Sequence, residues 1–369
     1  MSERLRSRLE AVPLDAGAEA RAWELVRAAH AERTPLPRRR RALRAVPAVA
    51  VLAAAAVTAA ALSPPGRAVV DAVRRSLGVE HAAPALFRLP APGRLLVSGA
   101  GGTWVVSADG SRRRLGGYRG AAWSPHALYV AAAGTDRLAA LAPDGTVHWT
   151  LARPSPTLPA WGGTRADTRV AYLSGGLLHV VAGDGSGDRT LGPAAPVRPA
   201  WRPADPGGFV LAWVTASGHV VAGRPGAPAL WHSAAYRPRP RLLAWSPDGR
   251  TLAVATTRQL FLVDGRSGAS VGVSLAGIGA LAWSRDGRLA AASGRSLLLV
   301  SRGGARTRLF SAPGQLRDLA WSPDGRWLVT ALPAADQWVF VGPRRVLAVS
   351  NVRRQFGRGA RLDGWAAAA

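Results

Sequence analysis

The octapeptide "LAWSPDGR" occupies residues 243–250 and recurs unchanged at 319–326, with "LAWSRDGR" at 281–288 midway between them. The three copies are evenly spaced. A regular interval of roughly forty residues marks one repeated supersecondary unit, because a unit of this length cannot bury its apolar face alone and must stack on its neighbours. Used as a ruler, the motif exposes degenerate copies: "AAWSP" from Ala121, "PAWGG" from Pro159, "PAWRP" from Pro199 and "DGWAA" from Asp363. The tryptophans so aligned are Trp123, Trp161, Trp201, Trp245, Trp283, Trp321 and Trp365. A period near forty with several short strands per unit predicts the blades of a β-propeller.

Each unit reads at the period of a strand. From Leu242 the runs are "LLAW", "TLAVAT", "QLFLVDG" and "ASVGVSL"; from Leu319 they are "LAW", "WLVTAL", "QWVFVG" and "RVLAVS". All are too short for a helix, and turn residues separate them. In S-P-D-G, Ser246 suits the first turn position, Pro247 presets φ for the second, Asp248 suits the third, and Gly249 takes the left-handed conformation that closes the hairpin. The octapeptide is therefore a strand, a turn and the start of the next strand, with Trp245 expected to pack between blades. Turn chemistry accounts for Asp248, Asp286 and Asp324 better than a metal or catalytic role does, and the equivalent turn at His126 has no aspartate.

Six complete units start near Ala121, Pro159, Pro199, Leu242, Gly279 and Leu316. Before them stand three strands without a first, "RLLVSG", "TWVVSADG" and "SRRRLGG", and after them stands "GARLDGWAAA" at 359–368 with no blade of its own. The carboxy-terminal segment is thus expected to complete the first sheet and close a seven-bladed ring, which removes two open edges.

The motif "LAWSPDGRxLAV" at 243–254, repeated in "LAWSPDGRWLV", is similar to the WD-like repeats of TolB-type β-propellers, a likeness that covers residues 94–365. The Gly-His and Trp-Asp pairs of eukaryotic WD repeats do not recur with these units. The resemblance implies an extracytoplasmic platform that binds a protein or a small ligand at a propeller face.

The amino-terminal third has another character. From Ala45 to Leu62 the chain carries no charge. As a helix this run covers about 27 Å, enough for a thin hydrocarbon core. Arg38, Arg39, Arg40, Arg41 and Arg44 crowd its amino-terminal side, so the positive-inside rule places the amino terminus in the cytoplasm and the propeller outside the cytoplasmic membrane. A buried helix of a soluble protein and a cleaved signal peptide compete, the latter with small residues at 59–61 as a cleavage site and "RRAL" at 40–43 as a twin-arginine trace. The preceding segment, 1–44, exceeds a normal n-region, however. Within it, Asp15 is a candidate N-cap, and Trp23, Leu25 and Val26 with Ala22 and Ala29 outline an amphipathic helix that needs a partner, the membrane surface or another copy; the alternative is a weakly ordered tail that only supplies positive charge for topology. Residues 63–93 read as a short helix ending at Gly78 followed by a Pro-rich linker from Glu80 to Gly93. A basic helix, one membrane pass and an outer domain resemble in layout the membrane-bound anti-sigma factors.

The expected fold is all-β: a seven-bladed β-propeller over residues 94–369, preceded by a helical segment (1–44) and one transmembrane helix (45–62). Net charge is +26, yet all 48 basic residues are arginine and, outside the run Arg38–Arg41, they are scattered, so no phosphate-tracking stripe is visible and no nucleic-acid partner is expected. The chain has no cysteine, which excludes disulfides, thiolate metal sites and a cysteine nucleophile. No catalytic or cofactor motif is present, and the expectation is a non-enzyme without cofactors. The alternative is a hydrolase or lyase with a composite site at the axial channel, built from residues such as His126, His179 and His219. "GDGSGD" at 183–188 alternates Asp184, Ser186 and Asp188 like a calcium loop, but it lacks the bidentate glutamate and matches hairpin turns in other units.

Overall fold

In the S-P-D-G turns, a buried serine acts as a knot. The backbone N–H of Gly249 donates to Ser246 O at 2.9 Å, and Gly249 has φ 64°. Ser246 is fully buried; its hydroxyl donates to Asp248 Oδ1 at 2.5 Å and accepts from the Thr251 N–H at 2.9 Å. Asp248 Oδ1 also accepts from the Arg250 N–H at 3.1 Å. These donors, the Ser246 hydroxyl above all, hold the Asp248 carboxyl down at about 2. Ser284 and Ser322 repeat the arrangement with the N–H groups of Arg288 and Trp327, both at 2.9 Å. In the unit from Ala121 the glycine position is taken by Ala127, which is held at φ 58°.

The computed structural model describes residues 79–83, 88–164, 166–203 and 209–368. The helix expected around Trp23, Leu25 and Val26, the segment 45–62 and the short helix before Gly78 lie outside the described residues. Among those described, no helix is long and apolar enough to cross a membrane.

The described residues form seven sheets. The chain enters through β1 (Val79–Ala83) and then lays down β2 (Arg94–Gly99), β3 (Gly102–Ser107) and β4 (Arg112–Gly116). Five four-stranded antiparallel blades follow over residues 120–152 (β5–β8), 157–193 (β9–β12), 200–232 (β13–β16), 242–273 (β17–β20) and 278–311 (β21–β24). The seventh, over 317–350, contains β25 (Arg317–Trp321), β26 (Leu328–Leu332), β27 (Gln337–Val341) and β28 (Val346–Ser350). Then come α1 (Val352–Phe356) and β29 (Arg361–Ala366). Strand β29 pairs antiparallel with β2, setting Leu95 opposite Trp365, so the last strand completes the first blade as the strand count required.

Two elements depart from the sequence reading. The composition of residues 80–93 predicts a linker, but Val79–Ala83 is a strand that pairs parallel with β28 and makes the seventh blade five-stranded. Its backbone groups find partners on an edge that would otherwise stay open, which period-two patterning within so short a run cannot announce. No helix is expected after Ser350, yet α1 forms there because Val352 and Phe356, one turn apart, both bury. Phe356 stacks on Trp338 at 4.9 Å and meets Trp104 edge-on at 6.1 Å. These ring contacts fill the gap between the last blade and the first.

The core is divided among seven layers, each between neighbouring blades. Leu96 and Val105 of the first blade pack with Ala121, Val130 and Ala132 of the second, and the pattern repeats round the ring until Ala320 and Val329 of the seventh meet Leu95 and Val97 of the first. Middle strands such as β26 are buried on both faces, which explains their unbroken apolar runs.

Candidate functional site: the mouth of the axial channel

Each of the seven aligned tryptophans sits in the layer between its own blade and the preceding one. Four of them also bond across it. The indole N–H of Trp201 donates to Ala160 O at 3.0 Å, Trp245 to Ala200 O at 3.1 Å, Trp283 to Ala244 O at 3.0 Å and Trp321 to Ala282 O at 3.1 Å. The acceptor is always the residue before the preceding blade's tryptophan, so ring and backbone interlock blade by blade. The indole N–H groups of Trp365, Trp123 and Trp161 are buried without a partner among the described residues, and they mark three consecutive junctions around the closing blade.

These tryptophans surround one end of the channel, on the side of the S-P-D-G turns. A cavity of about 800 Å³ there is lined by six of the seven, Trp245 excepted, together with His126, Arg198, Arg285, Ser322 and Asp363. A β-bulge supplies its carboxylate, and a second bulge sets another carboxylate behind it. In β29 the register slips between Leu96 and Val97, leaving Asp363 as the extra residue. In β25 the slip between Arg317 and Leu319 leaves Asp318, held at φ 51° with Thr330 Oγ1 donating to its carbonyl at 3.0 Å. A bulge turns a side chain out of the regular alternation, and here it delivers carboxylates to the innermost strands.

Arg198, in the loop before β13 (Ala200–Trp201), donates to Ala121 O and to Asp363 Oδ1, both at 3.3 Å. It belongs to the fourth blade while its partners belong to the second and first, so the link runs across the channel and skips the third. Asp363 is 3 % exposed at its side chain, and its Oδ2 is buried with no partner among the described residues. Asp318 accepts from the Leu362 N–H at 3.1 Å. Burial, with the nearby Asp363 carboxylate acting in the same direction, pushes the Asp318 carboxyl up to about 6.

Of the three histidines considered for a composite site, only His126 lines the cavity. His179 lies in β11 (Leu177–Ala182), where it stacks on Tyr172 at 5.0 Å and lies 3.3 Å from the Thr190 hydroxyl. His219 lies 2.9 Å from Ser233 O within the fourth blade. The structure therefore does not bring them together, because neighbours in their own blades engage two of them. In "GDGSGD", Asp184 Oδ1 accepts from the Ser186 N–H at 3.0 Å and from its hydroxyl at 2.7 Å, as Asp109 does with Ser111. Asp188 turns away to Arg153 and Tyr172, so the two carboxylates serve separate structural ends.

Arg198, Asp318 and Asp363 escaped the sequence reading, although the register carried a signal. Two residues before the aligned tryptophans the chain has Ala121, Pro159, Pro199, Leu243, Leu281, Leu319 and then Asp363. Three residues before, the column is apolar or Gly120 except for Arg198 and Asp318. Charges in columns that should be apolar flag a site once the repeats are stacked.

The family model described as "WD domain, G-beta repeat" matches residues 304–341, from the end of the sixth blade through the third strand of the seventh. The match stands although residues 304–341 contain neither a Gly-His nor a Trp-Asp pair. No curated protein matches the chain. Among solved structures, a chain of the mitotic checkpoint complex is 20% identical, over 72% of this chain and 91% of that one, with a TM-score of 0.57. Hsv2 of Kluyveromyces lactis is 12% identical over 70% and 94%, with a TM-score of 0.51. A Bacteroides uniformis protein whose title names a 6-phosphogluconolactonase is 14% identical over 74% and 100%, with a TM-score of 0.52. At such identities the likeness concerns fold alone. The described residues thus form a seven-bladed β-propeller that carries a WD40 repeat.

Proposed function

We propose that the protein is a TolB-type binding platform, tethered by residues 45–62 with its amino terminus in the cytoplasm, and that it presents the propeller outside the cytoplasmic membrane without chemistry of its own. The observation that carries the binding role is the mouth cavity, about 800 Å³ in volume and walled by aromatic rings. That volume falls within the size range of small-ligand sites, and a few convergent polar groups complete the resemblance to one. The uncharged run at 45–62 and its arginine flank support the tether. The helix bearing Trp23, Leu25 and Val26 then faces a cytoplasmic protein, which makes the molecule an anti-sigma-like transducer.

Tags at both termini with protease applied from outside test the topology: the carboxy-terminal tag is lost and the amino-terminal tag survives, whereas survival of both tags in sealed cells defeats the tether. A photo-crosslinker replacing Arg285 at the mouth is expected to trap a partner, and the same group replacing Arg308 on an outer strand is not. Equal trapping at both positions removes the mouth from the function.

A catalytic reading has one observation in its favour, the carboxyl of Asp318 held near 6, in the range of a general acid. Asp318 stands behind Asp363 and is not among the residues lining the cavity, so the binding reading accounts for more of the site.

A further inference from the structure

We infer that the outer rim of the seventh and first blades is a membrane-binding face, on which a cluster of arginines meets the phosphate headgroups of anionic lipid in the tethering bilayer, so that the propeller stands on its rim. This rests on the tether proposed above and adds how the platform sits on the membrane.

The first observation is where the chain enters. Strand β1 lies on the outer edge of the seventh blade, with Val79 opposite Val346. Residues 63–78, between the tether and that strand, read as a short helix, which spans about 24 Å. The tether therefore delivers this flank to the bilayer and leaves the fourth blade, across the ring, turned away from it.

The second observation is charge. Strand β4 carries Arg112, Arg113 and Arg114 in succession, all exposed. Strand alternation sets Arg112 and Arg114 on the side of α1, where Arg112 donates to Gln355 Oε1 at 3.1 Å, and Arg113 on the side of the second blade. Arg354 of α1 and Arg344, just before β28, are exposed as well. The arginines thus run from the point where β1 docks to the outer strand of the first blade. Carboxylates nearby are already engaged: Asp336 pairs with Arg353 at 3.3 Å, and Asp109 accepts from the Ser111 hydroxyl at 2.7 Å.

Outer strands elsewhere differ. No arginine stands in β8 (Val147–Ala152), β16 (Ala229–His232) or β20 (Ser270–Val273), whereas β24 (Arg306–Ser311), in the sixth blade beside the seventh, has two. Charge on an open edge also discourages strand pairing, but that need is the same for every outer strand and does not gather arginines where the tether arrives. Guanidinium matches a lipid phosphate in charge and in bidentate geometry. Each arginine near an anionic surface favours contact about fivefold. With the rim down, the mouth of the channel opens along the membrane and stays accessible to a partner.

The chain has no cysteine, so a single introduced one takes a fluorescent label cleanly. Gly117→Cys sets the label just past β4, where an added side chain meets nothing within 4 Å, and Ala235→Cys sets it at an exposed position past β16. The full-length chain is reconstituted in nanodiscs that carry a headgroup quencher and either phosphatidylglycerol or phosphatidylcholine alone. Quenching at position 117 is expected to exceed that at 235 severalfold in the acidic discs and to fall away in the neutral ones. Arg112→Ser, Arg113→Ser and Arg114→Ser together are expected to lower the ratio of seated to free propeller on the order of a hundredfold, which erases the difference. Arg113→Gln alone, at a side chain with no hydrogen bond among the described residues, is expected to lower it about fivefold. Equal quenching at both positions, or a difference that ignores lipid charge or survives the triple substitution, overturns the inference. Loss of quenching on adding polyglutamate or an oligonucleotide at micromolar concentration assigns the patch to that class of macromolecule and overturns it too. A chain that does not enter the discs removes tether and inference together, whereas one that enters without seating removes the inference alone.

Discussion

At the scale of single residues, the aligned tryptophans divide by what their indole N–H meets. Trp283→Phe removes a bond to the Ala244 carbonyl across the junction. Trp161→Phe removes an N–H that lacks a partner among the described residues. Both variants lose the same ring packing, so Trp283→Phe is expected to cost about 1 kcal/mol more, the net worth of one hydrogen bond. Denaturant unfolding of the two variants measures the difference, and equal losses would mean that the inter-blade indole bond contributes nothing. The period of the repeat placed each tryptophan at a junction, because packing repeats with sequence. The bond was not legible, since its acceptor is a backbone carbonyl of another blade and carries no side-chain signature.

At the scale of elements, what was legible depended on whether the determinant was local. The S-P-D-G hairpins, the four runs per unit and the missing first strand could be read because turn residues and alternation lie close together in the chain. Strand β1 could not, for its partner β28 lies at the far end of the propeller sequence and no pattern links the two. Asp363 and Asp318 stood within reach, as charges in apolar columns, but the bulges that take them out of the regular alternation depend on pairing with β2 and β26. Removing residues 359–369 leaves β2 without its partner. The truncated chain is expected to unfold less cooperatively and to self-associate, and a peptide of the missing residues added in trans is expected to restore the monomer. Light scattering follows both steps, and a truncated chain that stays monomeric and melts like the parent would show that β29 does not close the ring.

At the scale of the whole molecule, two aspartates set opposite limits on stability against pH. Asp248 sits at about 2, below its ordinary 3.8, so its contribution is complete above 3.8 and disappears only as the pH falls toward 2. Asp318 sits at about 6, above the same ordinary value, so the native state binds its proton more tightly than the unfolded chain does. Its contribution is complete below the ordinary value and is lost as the pH rises through the raised one, on the order of 3 kcal/mol. Asp318→Asn keeps an acceptor for the Leu362 N–H while abolishing the ionisation, so it is expected to raise the melting temperature above neutrality and leave it almost unchanged in mild acid, well below 6. Melting curves on both sides of that value check this, and an equal shift in both would separate Asp318 from the pH dependence.

The pairing of β29 with β2 also fixes a timetable. The chain emerges amino terminus first, and the strand that answers Leu95 is made after every other strand of the ring. At ordinary synthesis rates the residues between Gly99 and Arg361 take on the order of 10 to 50 s to appear. Throughout that interval the first blade waits one strand short, its inner edge exposed to any passing extended segment. Whatever shelters the nascent chain during that delay guards the step on which assembly of the ring depends.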